Sequence, residues 1–259
     1  MNTKQTVART GREVLGTFID ALTWPDACST VLRWAAARQS RVVWLCNVHS
    51  VVTAWREPAF AQVLAHADLA AADGAPIAWA LRRLGIARQQ RISGPDLMWH
   101  LLRDAQRMQL RVYFYGSTEA TLGRLCQAAS TAFPQLQIAG THAPPFRPVS
   151  PAEQKAIRRT INESAAHMVF VGLGCPKQEA WMVAQRGQIS AVMLGVGAAF
   201  DFHAGLIPRA PYWMRAYGLE WLHRLASEPR RLLRRYLVTN SIFIVRFLQQ
   251  WLFQRKTGA

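Results

Sequence analysis

The chain has 259 residues, with 31 Lys+Arg against 15 Asp+Glu and a net charge of +16. A hydrophobic share of 51% with 18% charged residues excludes an intrinsically disordered chain, and the length can bury a proper core. The four cysteines, Cys28, Cys46, Cys126 and Cys175, form no C-x-x-C pair, which excludes a zinc ribbon or a thioredoxin motif, and are too sparse for a secreted disulfide scaffold.

Met1–Gly16 is polar, without the apolar stretch of a signal peptide. The longest apolar candidate, Tyr236–Phe253, is interrupted by Asn240, Arg246, Gln249 and Gln250, so no membrane-spanning helix is expected. The expected location is the cytoplasm, at the membrane surface.

Six apolar runs read as strands: Arg41–Asn47, Asp68–Asp73, Arg111–Gly116, Gln135–Ala139, His167–Gly172 and Ser190–Gly195. Continuous runs of this length suit parallel strands covered on both faces. Between them, helical patterns fall on Asp26–Arg38, Pro58–Ala65, Pro95–Met108, Glu119–Phe133, Pro151–Ser164 and Gln178–Arg186. Ser150 followed by Pro151 is a helix-start signal. The prolines of His142–Pro148 predict a loop. The alternation predicts an α/β fold with a mainly parallel sheet flanked by helices, over residues 1–204.

The composition then changes. Residues 205–259 hold ten basic residues against Glu220 and Glu228, a net +8. Arg231, Arg234 and Arg235 share one helical face. Apolar positions such as Trp221, Leu225, Tyr236, Phe247 and Trp251 make a discontinuous stripe. This reads as a basic amphipathic helical appendage, broken once at Pro229 and suited to an anionic membrane surface.

In open α/β sheets ligands bind beyond the carboxyl ends of the strands. Five such ends carry Asn47, Asp73-Gly-Ala-Pro76, Gly116-Ser-Thr118, Gly172-Leu-Gly-Cys-Pro-Lys-Gln-Glu179 and Gly195-Val-Gly-Ala-Ala-Phe-Asp201. Asp73 is either a turn residue or a general base for a sugar hydroxyl. The glycines, Gly116, Gly172, Gly174 and Gly197 among them, form tight turns or let backbone approach a nucleotide diphosphate. Neither G-x-G completes a G-x-G-x-x-G, because Lys177 and Phe200 fill the last positions, so nicotinamide binding is poorly supported. Gln178 offers a donor and an acceptor to sugar hydroxyls, and Glu179 suits a first helical turn. The seven histidines show no metal-binding spacing, and no D-x-D clamp is present. A diphosphate leaving group would then need side-chain cations, for which arginine is well suited.

Together these motifs resemble the WecG/TagA/CpsF bacterial glycosyltransferases, glycosyltransferase family 26. The resemblance runs from about Gly16 to Tyr236 and rests on Asn47, Ala72–Pro76, Arg91–Leu97, Val112–Gly116, Gly172–Glu179, Gly195–Asp201, Arg209–Pro211, Gly218–Leu225 and Glu228–Leu232. It implies inverting transfer of a sugar from a UDP-sugar to a polyprenyl-diphosphate-linked sugar in cell-surface polysaccharide synthesis. The donors it implies are UDP-N-acetylmannosamine, its uronic acid or UDP-glucose. It implies Asp73 as base, and Asn47, Arg91, Gln178 and Asp201 with Lys177 and Glu179 around the substrates. It places Arg224, Arg231 and Arg234 at the diphosphate, with no metal or other cofactor. The chain departs from the family pattern at Leu45, where some members have Thr, at Cys175 and at Ala75.

The net charge keeps a nucleic-acid-binding α/β protein as the alternative, although no helix-turn-helix, RNP or zinc-finger pattern supports it. A non-enzymatic membrane scaffold is a further reading. An exposed apolar tail also leaves self-association open.

Overall fold

The computed structural model describes residues 9–257. The chain opens with a hairpin of β1 (Gly11–Val14) and β2 (Thr17–Asp20), whose turn residues Leu15 and Gly16 both have positive φ, 49° and 78°. Two left-handed residues in the turn match the right-handed twist of the flanking strands. Next come α1 (Trp24–Ala36), β3 (Arg41–Cys46), α2 (Val48–Arg56), α3 (Pro58–Ala65), β4 (Leu69–Ala72) and α4 (Ala75–Arg83). They are followed by α5 (Gly94–Arg107), β5 (Arg111–Gly116), α6 (Glu119–Ala132), β6 (Gln137–His142), α7 (Pro151–Glu163), β7 (Met168–Gly172), α8 (Lys177–Gln185) and β8 (Val192–Gly195). The remaining segment forms α9 (Ala199–His203), α10 (Tyr212–Ala216), α11 (Glu220–Ser227) and α12 (Pro229–Thr257).

Strands β3 to β8 make one sheet in the order β4-β3-β8-β7-β5-β6, every pair parallel. Alternate side chains serve two cores. Val43, Phe114, Phe170 and Leu194 pack with α1, α5, α6 and α9. Trp44, Tyr115, Val171 and Met193 pack with α2, α4, α8 and α12. Both faces are covered, which is why the strands read as unbroken apolar runs.

The edge of β4 is closed by a side chain. Asp20 Oδ2 accepts the Ala70 N–H at 2.6 Å, and Arg9 holds Asp20 at 2.6 Å. The Ala70 amide is thereby paired within the chain rather than offered to another chain's strand.

Three expectations are corrected. The strand expected at Gln135–Ala139 lies at Gln137–His142, because Phe133–Leu136 closes a turn with a Leu136 N–H to Phe133 C=O bond of 3.0 Å. The proline loop therefore starts after His142. The C-terminal segment is broken twice rather than once, at Tyr217–Leu219 as well as at Pro229, and Gly218 takes φ +74° in the first break.

Helix α12 is fixed to the body. Phe243 and Phe247 are buried, and Phe247 meets Trp79 edge-on with centroids 5.2 Å apart. Truncating a buried Phe to Ala costs about 3–5 kcal/mol. Gln250 also spans the β1–β2 turn, accepting from Leu15 N–H at 2.9 Å and donating to the Glu13 carbonyl at 2.7 Å. Among the described residues no helix is long and apolar enough to cross a membrane.

Candidate active site

The strand order sets the residues expected at the site in a row along one edge. Asp73 follows β4, Asn47 follows β3, Gly197 follows β8, the Gly172–Glu179 loop follows β7, and Gly116 ends β5. With adjacent strands about 4.8 Å apart, the row from Asp73 to Gly116 spans roughly 19 Å.

At the β4 end, the backbone of Asp73 continues the sheet through an N–H bond to the Cys46 carbonyl at 2.9 Å. Its carboxylate accepts from the Gly74 N–H, and Gly74 has φ +83°, which holds the turn into α4. Burial raises the Asp73 pKa to about 6, against the pull of Arg91 and Arg224 and with the help of Glu220. Arg91 is tied to the C-terminal segment: it pairs with Glu220 of α11 and donates to the Arg215 carbonyl at 3.3 Å. Ile92 N–H bonds the Ala72 carbonyl at 2.9 Å, fixing this stretch beside β4. A Cβ added at Gly218 would stand 2.6 Å from the Cβ of Ala75, so α10 and α11 close directly over the Asp73 turn.

Asn47 is the N-cap of α2. Its Oδ1 accepts the Ser50 N–H at 3.1 Å, a cap that does not use its amide N–H donors. Gln178 and Glu179, in the first turn of α8, are only 6% and 3% exposed. Gln178 Nε2 donates to Glu179 Oε1 at 2.9 Å, the Cys175 thiol also hydrogen-bonds the Glu179 carboxylate, and Gln178 Oε1 is buried with no hydrogen-bond partner among the described residues. Burial raises the Glu179 pKa. A Cβ at Gly195 would lie 3.0 Å from Gln178 Nε2, so the Gly195–Gly197 loop lies against this amide. Lys177 is exposed, and Asp201 is half-buried in α9.

At the β5 end, Gly116 pairs with Gly172. A Cβ at Gly116 would lie 2.6 Å from the Gly172 carbonyl oxygen, and one at Gly172 would lie 2.6 Å from the Phe200 ring. Close packing of β5, β7 and α9 therefore requires both glycines. Gly174, at φ +77°, faces open space. Helix α6 leaves β5 toward one core and α8 leaves β7 toward the other, so a crevice opens between these strand ends. Such a point is where open α/β sheets bind nucleotides.

Of the arginines expected at a diphosphate, Arg224 lies within reach of Asp73, over the Phe202 ring at 5.3 Å, and its buried Nε has no hydrogen-bond partner among the described residues. Arg234 is exposed, and the side chain of Arg231 lies outside the described residues. Arg235 turns inward instead, its charge reaching both His49 and Cys175. Arg209 and Arg215 both meet Asp96, at 2.5 and 3.6 Å. Burial raises the Asp96 pKa, but the Ser93 and Arg209 hydrogen bonds outweigh it and leave the pKa lowered. His203 is structural: it stacks on Trp99 at 3.9 Å and its Nε2 bonds the Pro95 carbonyl at 2.9 Å. Among the described residues no three His, Cys, Asp or Glu side chains stand together as a metal site.

Glu220 is not marked out by the sequence, whereas Arg235 is, as one of three arginines on a helical face. That face does not say which arginine turns inward; the docking of α12 brings Arg235 in and leaves Arg234 exposed.

The row of strand ends has the Asp73 carboxyl at one end with the guanidinium groups of Arg91 and Arg224 near it. Comparison with known proteins gives this row a lineage. The glycosyl transferase WecG/TagA/CpsF family model matches residues 12–257. The N-acetylglucosaminyldiphosphoundecaprenol N-acetyl-beta-D-mannosaminyltransferase of Bacillus spizizenii is 32% identical over 179 residues, covering 69% of this chain and 68% of that protein. The enzyme of the same name from Staphylococcus aureus is 27% identical over 223 residues, 85% of this chain and 86% of its own. The chain therefore belongs to the WecG/TagA/CpsF family and is a glycosyltransferase.

Proposed function

We propose that the protein moves N-acetylmannosamine from UDP to a hydroxyl of an N-acetylglucosamine carried on a polyprenyl diphosphate, inverting the anomeric carbon. The donor and acceptor follow the names of the relatives. The observation that carries the mechanism is Asp73, a carboxylate at a strand end with its pKa raised to about 6 and Arg91, Glu220 and Arg224 around it. A base that titrates near working pH can take a hydroxyl proton as the oxygen attacks.

In this reading Asp73 accepts the proton of the acceptor hydroxyl. The hydroxyl oxygen bonds to the anomeric carbon, and the bond from that carbon to the UDP oxygen breaks. UDP lies along the β7–β5 crevice with its diphosphate near Gly172 and Gly174, and the donor sugar meets Gln178, whose unpartnered Oε1 accepts from a sugar hydroxyl. Asn47, Lys177, Glu179, Gly197 and Asp201 line the same run. Arg224, with Arg231 and Arg234, offsets the charge of the departing diphosphate in place of a metal. Leu45 packs into the core against Gly94 and offers no hydroxyl to the sugar, so the uronic acid and glucose donors belong in the test. Residues 1–204 form the catalytic core, and 205–259 complete the site and bring it to the anionic inner face of the membrane.

The test is UDP release with UDP-N-acetylmannosamine, its uronic acid and UDP-glucose, each with a short-chain prenyl-diphospho-N-acetylglucosamine. Acceptor-dependent release from the first donor is expected, falling roughly 100- to 10,000-fold in Asp73→Asn. Release that is unaffected by Asp73→Asn overturns the base. Preference for another donor overturns the sugar.

A further inference from the structure

Glu179 is a buried carboxyl to which the mechanism above gives no step. It sits in the first turn of α8, and hydrogen bonds hold it there. Gln178 Nε2 donates to its Oε1 at 2.9 Å, and the Cys175 thiol and its own backbone N–H add to this. Burial penalises its charge. A buried hydrogen-bonded pair can be replaced by apolar groups of the same shape at little cost, so folding alone does not call for a carboxyl here.

The carboxyl decides which way its neighbour faces. A side-chain amide carries a carbonyl acceptor and an N–H2 donor and can present either, whereas a carboxylate only accepts. Beside Glu179, Gln178 must turn its N–H2 inward, and its oxygen is left on the other side. That oxygen is the buried Oε1 with no partner among the described residues. It borders the Gly197 turn at the exit of β8. A Cβ built at Gly197 would meet Oε1 at 3.6 Å and Nε2 at 4.0 Å and, apart from its chain neighbours, no other group among the described residues within 4 Å. The oxygen therefore faces a free space wide enough for a methyl group, in the row of strand ends. On the donor side there is no such room, since a Cβ at Gly195 would crowd Nε2 at 3.0 Å. The backbone is fixed as well, through the Gln178 N–H to the Gly174 carbonyl at 3.0 Å.

We infer that Glu179 is a positioning residue, which fixes the Gln178 amide so that this point of the donor-sugar site offers an acceptor oxygen and no donor. The inference rests on the sugar contact proposed for Gln178 above. It gives the site a selectivity. A hydroxyl or amide N–H of the sugar matches the oxygen, whereas a group with lone pairs alone is repelled. Glu179 acts through Gln178 and does not itself touch the sugar.

Two measurements test it on the full-length chain. The first is calorimetric binding of UDP and of UDP-N-acetylmannosamine, read as the ratio of the two affinities. In Glu179→Gln the new amide can donate to Gln178 Oε1, so the acceptor is consumed or turned away. Affinity for the UDP-sugar should fall roughly tenfold, with affinity for UDP unchanged. Equal losses for both ligands, as from a general structural defect, overturn the positioning role, and so does no loss for either. The exchanged pair Gln178→Glu/Glu179→Gln should recover part of the ratio. The amide, now at 179, donates to a carboxylate at 178 whose second oxygen faces the Gly197 turn. No recovery overturns amide orientation as the cause.

The second measurement needs no ligand. In the nuclear magnetic resonance spectrum of isotope-labelled protein, the Gln178 side-chain amide is identified by its absence from Gln178→Leu. Its protons should be protected from solvent exchange and shifted downfield, and both features should collapse in Glu179→Gln. Exchange as fast as that of surface glutamines overturns the inference. If the donor-sugar reading fails instead, Gln178→Leu leaves the affinity ratio at its wild-type value while the protected amide remains. If only the positioning role fails, Gln178→Leu lowers the ratio and Glu179→Gln does not.

Discussion

At Asp73, the proposed base, stability and activity are linked through one ionisation. Its pKa rises from an ordinary value near 4 to about 6 because burial penalises the charged form more than Arg91 and Arg224 favour it. The native state therefore holds the proton more tightly than the unfolded chain. Stability from this group is fully present below about pH 4 and is lost as pH rises through about 6. Asp73→Asn, which cannot ionise, should accordingly be more stable than wild type at pH 8 by about 1–3 kcal/mol, with the gap closing toward pH 4. Urea unfolding at several pH values measures this, and a gap independent of pH would contradict it. The same ionisation should give kcat/KM a rising limb with its inflection near pH 6. Glu220→Gln removes a negative neighbour and frees Arg91, and both changes move that inflection to lower pH.

At the level of elements, the closure of α10 and α11 over the Asp73 turn depends on the absence of a side chain at Gly218. Gly218→Ala places a Cβ 2.6 Å from that of Ala75, at φ +74° where L-residues are strained by about 1–2 kcal/mol. Activity should fall at least tenfold while the thermal transition of the sheet domain shifts little. Adding Ala75→Gly, which removes the atom in the way, should restore part of the loss. Activity assays on the single and double variants check this, and an inert Gly218→Ala would show that α11 need not close.

The strands and most helices could be read from the sequence, because a sheet covered on both faces leaves unbroken apolar runs, and because Ser150–Pro151 and Glu57–Pro58 are local start signals. Three kinds of element escaped. The β1–β2 hairpin turns on Leu15–Gly16 rather than Asn-Gly or Asp-Gly, so it carries no standard turn signal. Helix α2 starts directly after β3 with the β-branched run Val51-Val52-Thr53, which favours strands by propensity and is overridden by its Asn47–Ser50 capping box. Helix α4 was hidden behind Asp73–Pro76, which reads as a turn and is also a helix start. The same logic divides the site. Asp73, Asn47 and Gln178 stand where any parallel sheet exposes its ends, so order along the chain locates them. Glu220 and Arg235 meet the site only because α11 and α12 fold back on it, and that packing has no local signature.

Across the whole molecule, charge and apolar surface both concentrate on the C-terminal helices. Leu237, Ile244, Val245, Leu252 and Phe253 are exposed on α12, alongside exposed Arg230 and Arg255. Each arginine near an anionic bilayer adds about 1 kcal/mol of attraction, about fivefold in affinity. Arg230→Gln/Arg255→Gln should therefore weaken binding to phosphatidylserine vesicles roughly 25-fold at low salt, and less at high salt where both proteins bind weakly. Vesicle co-sedimentation across a salt series measures this. Equal binding by wild type and variant would remove α12 from the membrane contact.

The Gln250 side chain ties the first hairpin to the last helix through Leu15 and Glu13. The hairpin and α12, far apart along the chain, thereby become one mechanical unit. A ribosome releases the hairpin before α12, so the hairpin waits for every strand of the sheet to be made before its partner exists. The hairpin cannot take its final packing until α12 has emerged, and the helix that carries so much exposed apolar surface is the piece that holds it.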